Sequence, residues 1–101
     1  MAYRISEKAV EDLENIWIYT FQTWSLRQAD KYFNLLMDEI DYISEHPYKG
    51  KDYSHIKIGY FKAPFKRHVI FYKINKNDNI IEIIRVLHQQ MDVDENLNDR
   101  P

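Results

Sequence analysis

The sequence predicts an α+β domain in which an N-terminal helical hairpin packs on one face of an antiparallel sheet. Two observations carry this prediction. Apolar residues recur at three- and four-residue steps through residues 6–46, which is the period of an amphipathic helix. From residue 56 to residue 87 they recur mainly at every second position, which is the period of a strand. The resulting order is β-α-α-β-β-β, and helices grouped apart from strands are typical of the α+β class.

Length and composition indicate one small domain. The chain has 101 residues, and we assign residues 1–92 to a single domain and residues 93–101 to a C-terminal tail. Hydrophobic residues make up 45% of the chain and aromatic residues 15%, which is enough for one modest core. The absence of cysteine excludes disulfides and thiolate chemistry and suits a reducing cytoplasm. The apolar runs are too short to cross a membrane.

The first half of the chain carries the signals of a short strand and two helices. Residues 2–5 are expected to form a strand, and Ser6 follows as a helix N-cap. The first helix is expected to end near Trp24, and Ser25 then begins a capping box for the second. The second helix is expected to end at His46, because a residue before proline avoids the α conformation. The apolar stripes of the two helices are Val10, Leu13, Trp17, Phe21 and Trp24, and Ala29, Tyr32, Phe33, Leu36, Ile40 and Ile43.

The second half is predicted to form three strands, at residues 56–60, 66–74 and 80–87. A polar Asn- and Asp-containing turn joins the last two as a hairpin. The helices cover one face of the sheet in this arrangement, and the other face is free.

Charge is segregated along the chain. Residues 1–46 hold four Lys/Arg and nine Asp/Glu, residues 47–88 hold nine and three, and residues 89–101 hold one and four. The acidic helices and the basic strands therefore suggest two surfaces with different partners. The surplus cations are expected on the free face of the sheet.

Two strand segments carry candidate functional residues. His68 and Tyr72 are expected on one face of the second strand and Arg67 on the other. Arg85 is flanked by Ile83 and Leu87 on an apolar face, and burying an arginine is costly unless it is paired. It either pairs with a carboxylate such as that of Asp12 or is held for a phosphate or an acidic partner. His88 follows at the end of the last strand.

Most catalytic classes find no support in the sequence. The four histidines show no metal-ligand spacing, so no metal or other cofactor is expected. No nucleophile elbow and no glycine-rich phosphate loop is present. A metal-free ribonuclease stays open, because it needs only an acid, a base and cations. The groups that would supply these are His68, His88, Lys57, Lys66, Arg67 and Arg85.

Nearly the whole chain resembles the ParE-type toxins of bacterial type II toxin–antitoxin modules, within the ParE/RelE superfamily. Each motif alone is weak, but their order and spacing together are specific. The motifs are Ser6-x-x-Ala9-x-x-Asp12-Leu13-x-x-Ile16-x-x-Tyr19, Ala29-x-x-Tyr32, His46-Pro47-x-x-Gly50, Gly59-Tyr60, Arg67-His68-Val69-Ile70-Phe71-Tyr72 and Ile83-x-Arg85-Val86-Leu87-His88-x-x-Met91-Asp92.

The resemblance implies a cytoplasmic toxin that is not an enzyme. Toxins of this type poison DNA gyrase, trap it on cleaved DNA and arrest growth, and such modules stabilise plasmids. A ParD-like antitoxin neutralises the toxin: its ribbon-helix-helix dimer binds DNA, and its C-terminal segment folds along the toxin. The toxin would then meet operator DNA only indirectly, through the antitoxin. Two alternatives on the same fold are a RelE-like mRNA endoribonuclease and a non-toxic degenerate member that binds only its antitoxin.

Two sets of site residues follow. The antitoxin is expected on surplus apolar residues of the helices, since Trp and Met are frequent anchors in such grooves; these are Trp17, Phe21, Trp24, Leu35 and Met37. The alternatives are a broad core face and strand addition at a sheet edge. The residues assigned to target binding and toxicity are Arg67, His68, Tyr72, Arg85, His88, Met91 and Asp92.

Overall fold

A computed structural model describes residues 1–90, which form two helices and one five-stranded sheet. The strand order across the sheet is β1-β5-β4-β3-β2. The elements are β1 (Ala2–Ile5), α1 (Glu7–Thr23), α2 (Leu26–Glu45), β2 (Lys51–Asp52), β3 (Tyr60–Phe65), β4 (His68–Asn75) and β5 (Ile80–His88). The α+β class and the helical hairpin predicted from the sequence are confirmed. Within residues 1–90, neither helix combines the length and the apolar character that a membrane span needs.

Both helices begin at the serines that the sequence indicates. Ser6 Oγ accepts a hydrogen bond from Ala9 N at 3.0 Å and donates one to the Ile84 carbonyl at 2.8 Å. Ser25 Oγ accepts from Gln28 N at 3.0 Å. Each cap satisfies a backbone N–H that the first turn of the helix leaves without a partner. The Ser6 cap also ties the start of α1 to β5.

The sheet is mixed rather than fully antiparallel, which corrects one detail of the prediction. Strand β1 runs parallel to β5, with Ala2 opposite Ile80 and Ile5 opposite Ile83, whereas the other pairs are antiparallel. The direction of β1 depends on a partner almost eighty residues away, and a period-two pattern carries no information about that partner.

The strand predicted at residues 56–60 is also displaced. Ile58 is 88% exposed and lies in a turn, and Gly59 has a φ of +80°, a conformation that glycine adopts without strain. Strand β3 therefore starts only at Tyr60. The short strand β2, which was not predicted, pairs with β3 through Lys51 opposite Lys62.

A bulge in β5 changes which side chains face the helices. Phe71 lies opposite Arg85 and Tyr72 opposite Ile83, so Ile84 is an extra residue on β5. From this point on, the alternation of inward- and outward-facing side chains along β5 is shifted by one residue. The prediction that Arg85 shares a face with Leu87 and Ile83 is therefore wrong: Ile83 faces the helices, and Leu87 packs on the outer face.

The core lies between the helical hairpin and the sheet. Its fully buried centre includes Leu36 and Ile40 from α2, Ile70 from β4 and Ile83 from β5. A second, smaller cluster lies on the outer face of the sheet. It consists of Tyr60, Phe71 and Leu87, with Tyr53, Val69 and Ile84 packed against them.

Tyr72 anchors the turn that follows α2. Its ring is fully buried, and its hydroxyl donates to the Pro47 carbonyl and accepts from Gly50 N, both at 2.9 Å. Burial raises the pKa of this hydroxyl. A Cβ on Gly50 would lie 2.3 Å from the hydroxyl oxygen, so only glycine leaves room for this contact.

Removing the Tyr72 hydroxyl should therefore destabilise the protein. In Tyr72→Phe the Pro47 carbonyl and Gly50 N–H lose their partner, and we expect a loss of about 1–3 kcal/mol in the free energy of unfolding. Urea denaturation of the variant measures the loss. Tyr48→Phe is the control, because Tyr48 is 62% exposed and its hydroxyl is accessible to water. Equal stabilities of the two variants would contradict the anchoring role.

Candidate functional site

The outer surface of the helical hairpin carries an apolar groove, which we call the helix groove. It has a volume of about 490 Å³ and opens to solvent between α1 and α2. Its lining residues are Leu13, Glu14, Trp17, Ile18, Asp30 and Phe33. Most of this lining is apolar, although the groove faces solvent. The helix groove therefore has the character of a surface that a partner covers.

Trp17 is the centre of the helix groove. Its Nε1 donates to Asp30 Oδ1 at 2.9 Å, which links α1 to α2. Its ring stacks on Phe21, with 5.4 Å between ring centroids and 16° between the planes. Phe21 is 47% exposed and Trp24, at the end of α1, is 66% exposed. Three of the residues predicted for antitoxin binding thus form an aromatic stripe at helical spacing along α1 and its C-cap. Trp17 is half-buried and lines the groove, whereas Phe21 and Trp24 are exposed beyond its lining.

The other two predicted antitoxin residues lie elsewhere. Met37 packs against the main core, and Leu35 is half-buried outside the groove lining. Sequence reasoning missed Ile18 and Phe33. Ile18 could have been found from the sequence, because it is an apolar residue outside the buried face of α1, which contains Ala9 and Leu13. Phe33 gave no such signal, because it belongs to the stripe that packs on the core.

A second group of residues lies where β4 begins and β5 ends, and we call it the histidine cluster. His68 and His88 are opposite each other in the β4–β5 pair, with ring centroids 5.4 Å apart. The Tyr32 hydroxyl, on α2, forms a hydrogen bond with His68 Nδ1 at 2.7 Å. Gln90 N donates to His88 Nδ1 at 3.1 Å, so the proton of neutral His88 lies on Nε2.

The environment keeps His68 uncharged at neutral pH. Burial, together with the charges of His88 and Arg67, lowers the pKa of His68 from 6.5 to about 4, and Asp12 opposes this shift. Burial also raises the pKa of the Tyr32 hydroxyl. In this cluster His68 is therefore neutral and Tyr32 keeps its proton.

This low pKa predicts an acid-dependent loss of stability. The unfolded chain binds a proton on His68 below about 6.5, whereas the folded chain does so only near 4. The stabilisation that neutral His68 contributes is complete above pH 6.5 and decreases as the pH falls from 6.5 to about 4. The free energy of unfolding should fall by up to about 1.4 kcal/mol per pH unit in this range. Urea denaturation from neutral to acidic pH measures the slope. His68→Gln should flatten the profile, whereas His55→Gln, at an exposed site, should leave it unchanged; identical profiles for all three proteins would contradict the assignment.

The histidine cluster adjoins a basic turn. Lys66 and Arg67 join β3 to β4, and both side chains are exposed. The backbone of Lys66 has a φ of 55°. The Arg67 carbonyl accepts a hydrogen bond from Gln89 N at 2.9 Å, which holds the turn against the chain after β5. Three of the predicted toxicity residues, Arg67, His68 and His88, are thus brought together at one end of the sheet.

Two other predicted toxicity residues, Arg85 and Tyr72, are not part of this surface. Arg85 Nε and Nη2 donate to the two carboxylate oxygens of Asp12 at 2.8 and 2.9 Å, and Val86 N also donates to Asp12. This is the pairing with Asp12 that the sequence suggested as one alternative. Tyr72 is fully buried. Met91 and Asp92 lie outside the described residues. Within residues 1–90 no group of His, Asp and Glu side chains has a metal-binding arrangement.

The fold and the site define a class of protein: a small α+β domain with an exposed aromatic groove on its helices and a basic, histidine-containing edge on its sheet. Residues 3–93 match the family model described as the ParE toxin of the type II toxin–antitoxin system, parDE. The chain therefore belongs to the ParE toxin family and is the toxin component of such a system. Non-enzymatic gyrase poisoning and neutralisation by ParD fit this family.

Individual relatives agree with this assignment. The chain is 40% identical over 89 residues to Toxin ParE1 of Caulobacter vibrioides, covering 88% of this chain and 90% of the relative. It is 38% identical over 95 residues to Toxin ParE1 of Mycobacterium tuberculosis, covering 94% and 96%. A solved structure described as the chromosomal ParDE TA system from P. aeruginosa has the same fold, with a TM-score of 0.76 at 14% identity, covering 87% of this chain and 95% of that one.

Proposed function

We propose that this toxin poisons DNA gyrase in the bacterial cytoplasm without catalysing a reaction of its own, and that a ParD-like antitoxin neutralises it by binding the helix groove. Membership of the ParE family is the observation that carries the proposal. The two surfaces described above then have separate roles: the helix groove for the antitoxin and the histidine cluster with its basic turn for the target.

The helix groove suits a segment that folds on binding. Trp17, Phe21 and Trp24 are spaced so that an amphipathic helix or an extended segment can lie along α1 and cover all three rings. Glu14 and Asp30 flank the groove, so a segment with apolar anchors and a few cations would complement both its shape and its charge. Covering this surface would remove about half of each exposed ring from water, which is a favourable source of affinity.

The target surface is proposed at Arg67, His68 and His88. Arg67 is exposed at the tip of the β3–β4 turn, and within residues 1–90 no carboxylate pairs with its guanidinium. This group can form paired hydrogen bonds with a carboxylate or phosphate. His88 lies beside it at the end of β5. We assign Tyr72 and Arg85 to positioning, since one holds the turn after α2 and the other fixes β5 to α1. Met91 and Asp92, which lie three and four residues after His88 in the sequence, remain predicted parts of this surface.

A plasmid cleavage assay tests the proposed target. Purified gyrase, ATP and plasmid are incubated with increasing toxin, with and without the antitoxin. Linear DNA that accumulates with toxin and disappears with antitoxin is the expected result. Intact plasmid in the presence of folded toxin that still arrests growth would overturn gyrase as the target and direct attention to ribosomes and mRNA.

The single variants Arg67→Ala and Lys76→Ala test the proposed target surface in the same assay. In Arg67→Ala a charge-assisted contact is lost, and at least about tenfold more toxin should be needed for equal cleavage. Lys76→Ala is the matched control, because Lys76 is an exposed cation in the β4–β5 turn at the opposite end of the sheet. If both variants were as active as the wild type, the target surface would lie elsewhere.

A further inference from the structure

The outer face of the sheet, away from the helices, carries three lysines whose positions follow from strand register. Lys51 on β2 lies opposite Lys62 on β3, and Lys62 lies opposite Phe71 on β4. Lys73 on β4 lies opposite Tyr60. Phe71 and Tyr60 belong to the outer cluster, and opposed residues share a face of the sheet. We call Lys51, Lys62 and Lys73 the lysine face.

Within residues 1–90 the charge of the lysine face is only partly compensated, by Glu82 opposite Lys73. Like charges directly opposite each other destabilise a strand pair, and Lys51 and Lys62 are such a pair. Among the described residues, no carboxylate lies within ion-pair distance of any of the three lysines. Glu82, the acidic side chain opposite Lys73, is paired with Arg4 at 2.6 Å. This opposition of like charges is unfavourable for the strand pair, and an anionic partner would relieve it.

Aromatic rings position two of these ammonium groups. Lys62 Nζ lies 4.8 Å from the centroid of the Tyr53 ring, and Lys73 Nζ lies 5.8 Å from that of Tyr60. Such contacts hold a cation over the ring face. Tyr60 is 6% exposed and Phe71 is fully buried, so neither ring offers a platform on which bases stack. Tyr53 is half-buried, and the ammonium group of Lys62 lies over its ring. The face therefore presents mainly charges.

The geometry matches a row of phosphates. Directly opposed residues on neighbouring strands lie about 5 Å apart and diagonal neighbours about 7–8 Å apart, so the three lysine stems are spaced on the scale of successive phosphates along a strand. Residues 1–46, which contribute the helices on the other face, carry a net charge of −5. A polyanion would thus be attracted to the outer face and repelled from the helical one.

We propose that the lysine face binds the sugar–phosphate backbone of duplex DNA directly. Lysine acts as a point-charge phosphate ligand, and backbone contacts of this kind are independent of base sequence. Single-stranded nucleic acid is a poorer fit, because its binding relies on exposed aromatic platforms. The site goes beyond gyrase poisoning: it gives the toxin itself a contact with DNA, separate from any contact made through the antitoxin.

Fluorescence anisotropy with a labelled DNA duplex tests the site, using the whole toxin without gyrase or antitoxin. The wild type should bind at low salt, with an affinity that falls as salt is raised. In Lys51→Gln/Lys62→Gln the affinity at low salt should fall at least about tenfold, and the slope of log affinity against log salt should decrease by about 2. Because the assay contains no gyrase, its result is independent of the plasmid cleavage experiment.

The matched control is Lys8→Gln/Lys31→Gln, which removes two exposed cations from α1 and α2 and changes the net charge equally. It should bind DNA like the wild type. Thermal melting checks the folding of both double variants, and Lys73→Gln provides a single-site version of the test. Equal losses in both double variants, or no binding by the wild type, would overturn the proposal. Tighter binding of poly-L-glutamate or of single-stranded RNA, with the same lysine dependence, would also overturn it in favour of that partner.

Discussion

Replacing Asp12 with alanine is expected to destabilise the protein by about 3–5 kcal/mol, since it removes the carboxylate that pairs with the guanidinium of Arg85 in a largely buried site. The two side chains are only 12% and 15% exposed. Asp12 also accepts from Val86 N, so the variant loses three hydrogen bonds at once. A small domain has about 5–15 kcal/mol of stability in total, and the loss should be evident in urea denaturation.

Two further variants provide a control for Asp12→Ala and separate the charge of Asp12 from its hydrogen bond to Val86 N. Glu11→Ala removes a neighbouring carboxylate that is exposed, and its effect should stay within about 0.5 kcal/mol. Asp12→Asn keeps an acceptor oxygen for Val86 N but loses the charge, so its stability should lie between those of the wild type and Asp12→Ala. A loss below about 1 kcal/mol in Asp12→Ala would show that water replaces the carboxylate and that the pair contributes little.

The same measurement decides how loss of toxicity in an Arg85 variant is interpreted. If Arg85→Ala loses toxicity and stability together, the arginine acts through the position of β5 rather than through contact with a target. Toxicity lost at unchanged stability would instead support the direct role that the sequence suggested. The bidentate geometry favours the first outcome, because both guanidinium nitrogens that bond Asp12 are already engaged.

Loss of the exposed aromatic rings at the end of α1 is expected to weaken antitoxin binding by about 2 kcal/mol or more, which is roughly 30-fold. In Phe21→Ala/Trp24→Ala the aromatic stripe that continues from Trp17 of the groove loses two large apolar side chains that a bound segment would bury. Because these side chains are 47% and 66% exposed, the free toxin should keep most of its stability. Isothermal titration with the antitoxin measures the affinity, and thermal melting measures the stability.

Tyr19→Ala is the matched control for the aromatic pair. Tyr19 is also an exposed aromatic residue of α1, at 64%, but it is two positions from both Trp17 and Phe21 and therefore lies on a different side of the helix. Its removal should change antitoxin affinity less than about threefold. If Tyr19→Ala weakened binding as much as the double variant, the antitoxin would contact a different side of α1. If neither variant weakened binding, the groove would not be the antitoxin site, and an edge of the sheet would be the next candidate.

The local signals in the sequence were sufficient for the helices and their ends. Ser6 and Ser25 cap helices because a hydroxyl beside an unpaired backbone N–H acts over two or three residues. The α2 stripe likewise predicted the buried face that includes Leu36 and Ile40, since a helical period fixes which side chains share a face. In α1 the same period gave more apolar residues than a narrow stripe needs, which left a groove and a broad core face as alternatives, and the structure has the groove.

Features that depend on contacts between distant segments of the chain could not be predicted from local sequence patterns. The parallel direction of β1, the bulge at Ile84 and the placement of Met37 in the core each follow from packing between segments far apart in sequence. The sequence alone therefore determined the class, the family resemblance and the aromatic stripe of α1. Only the tertiary structure decided that Arg85 is held by Asp12 and that His68 and His88 meet beside Arg67. The sequence placed the surplus cations on the free face of the sheet, and strand register decided which lysines align there. Strand register and side-chain burial are set by long-range contacts, which residue spacing does not encode.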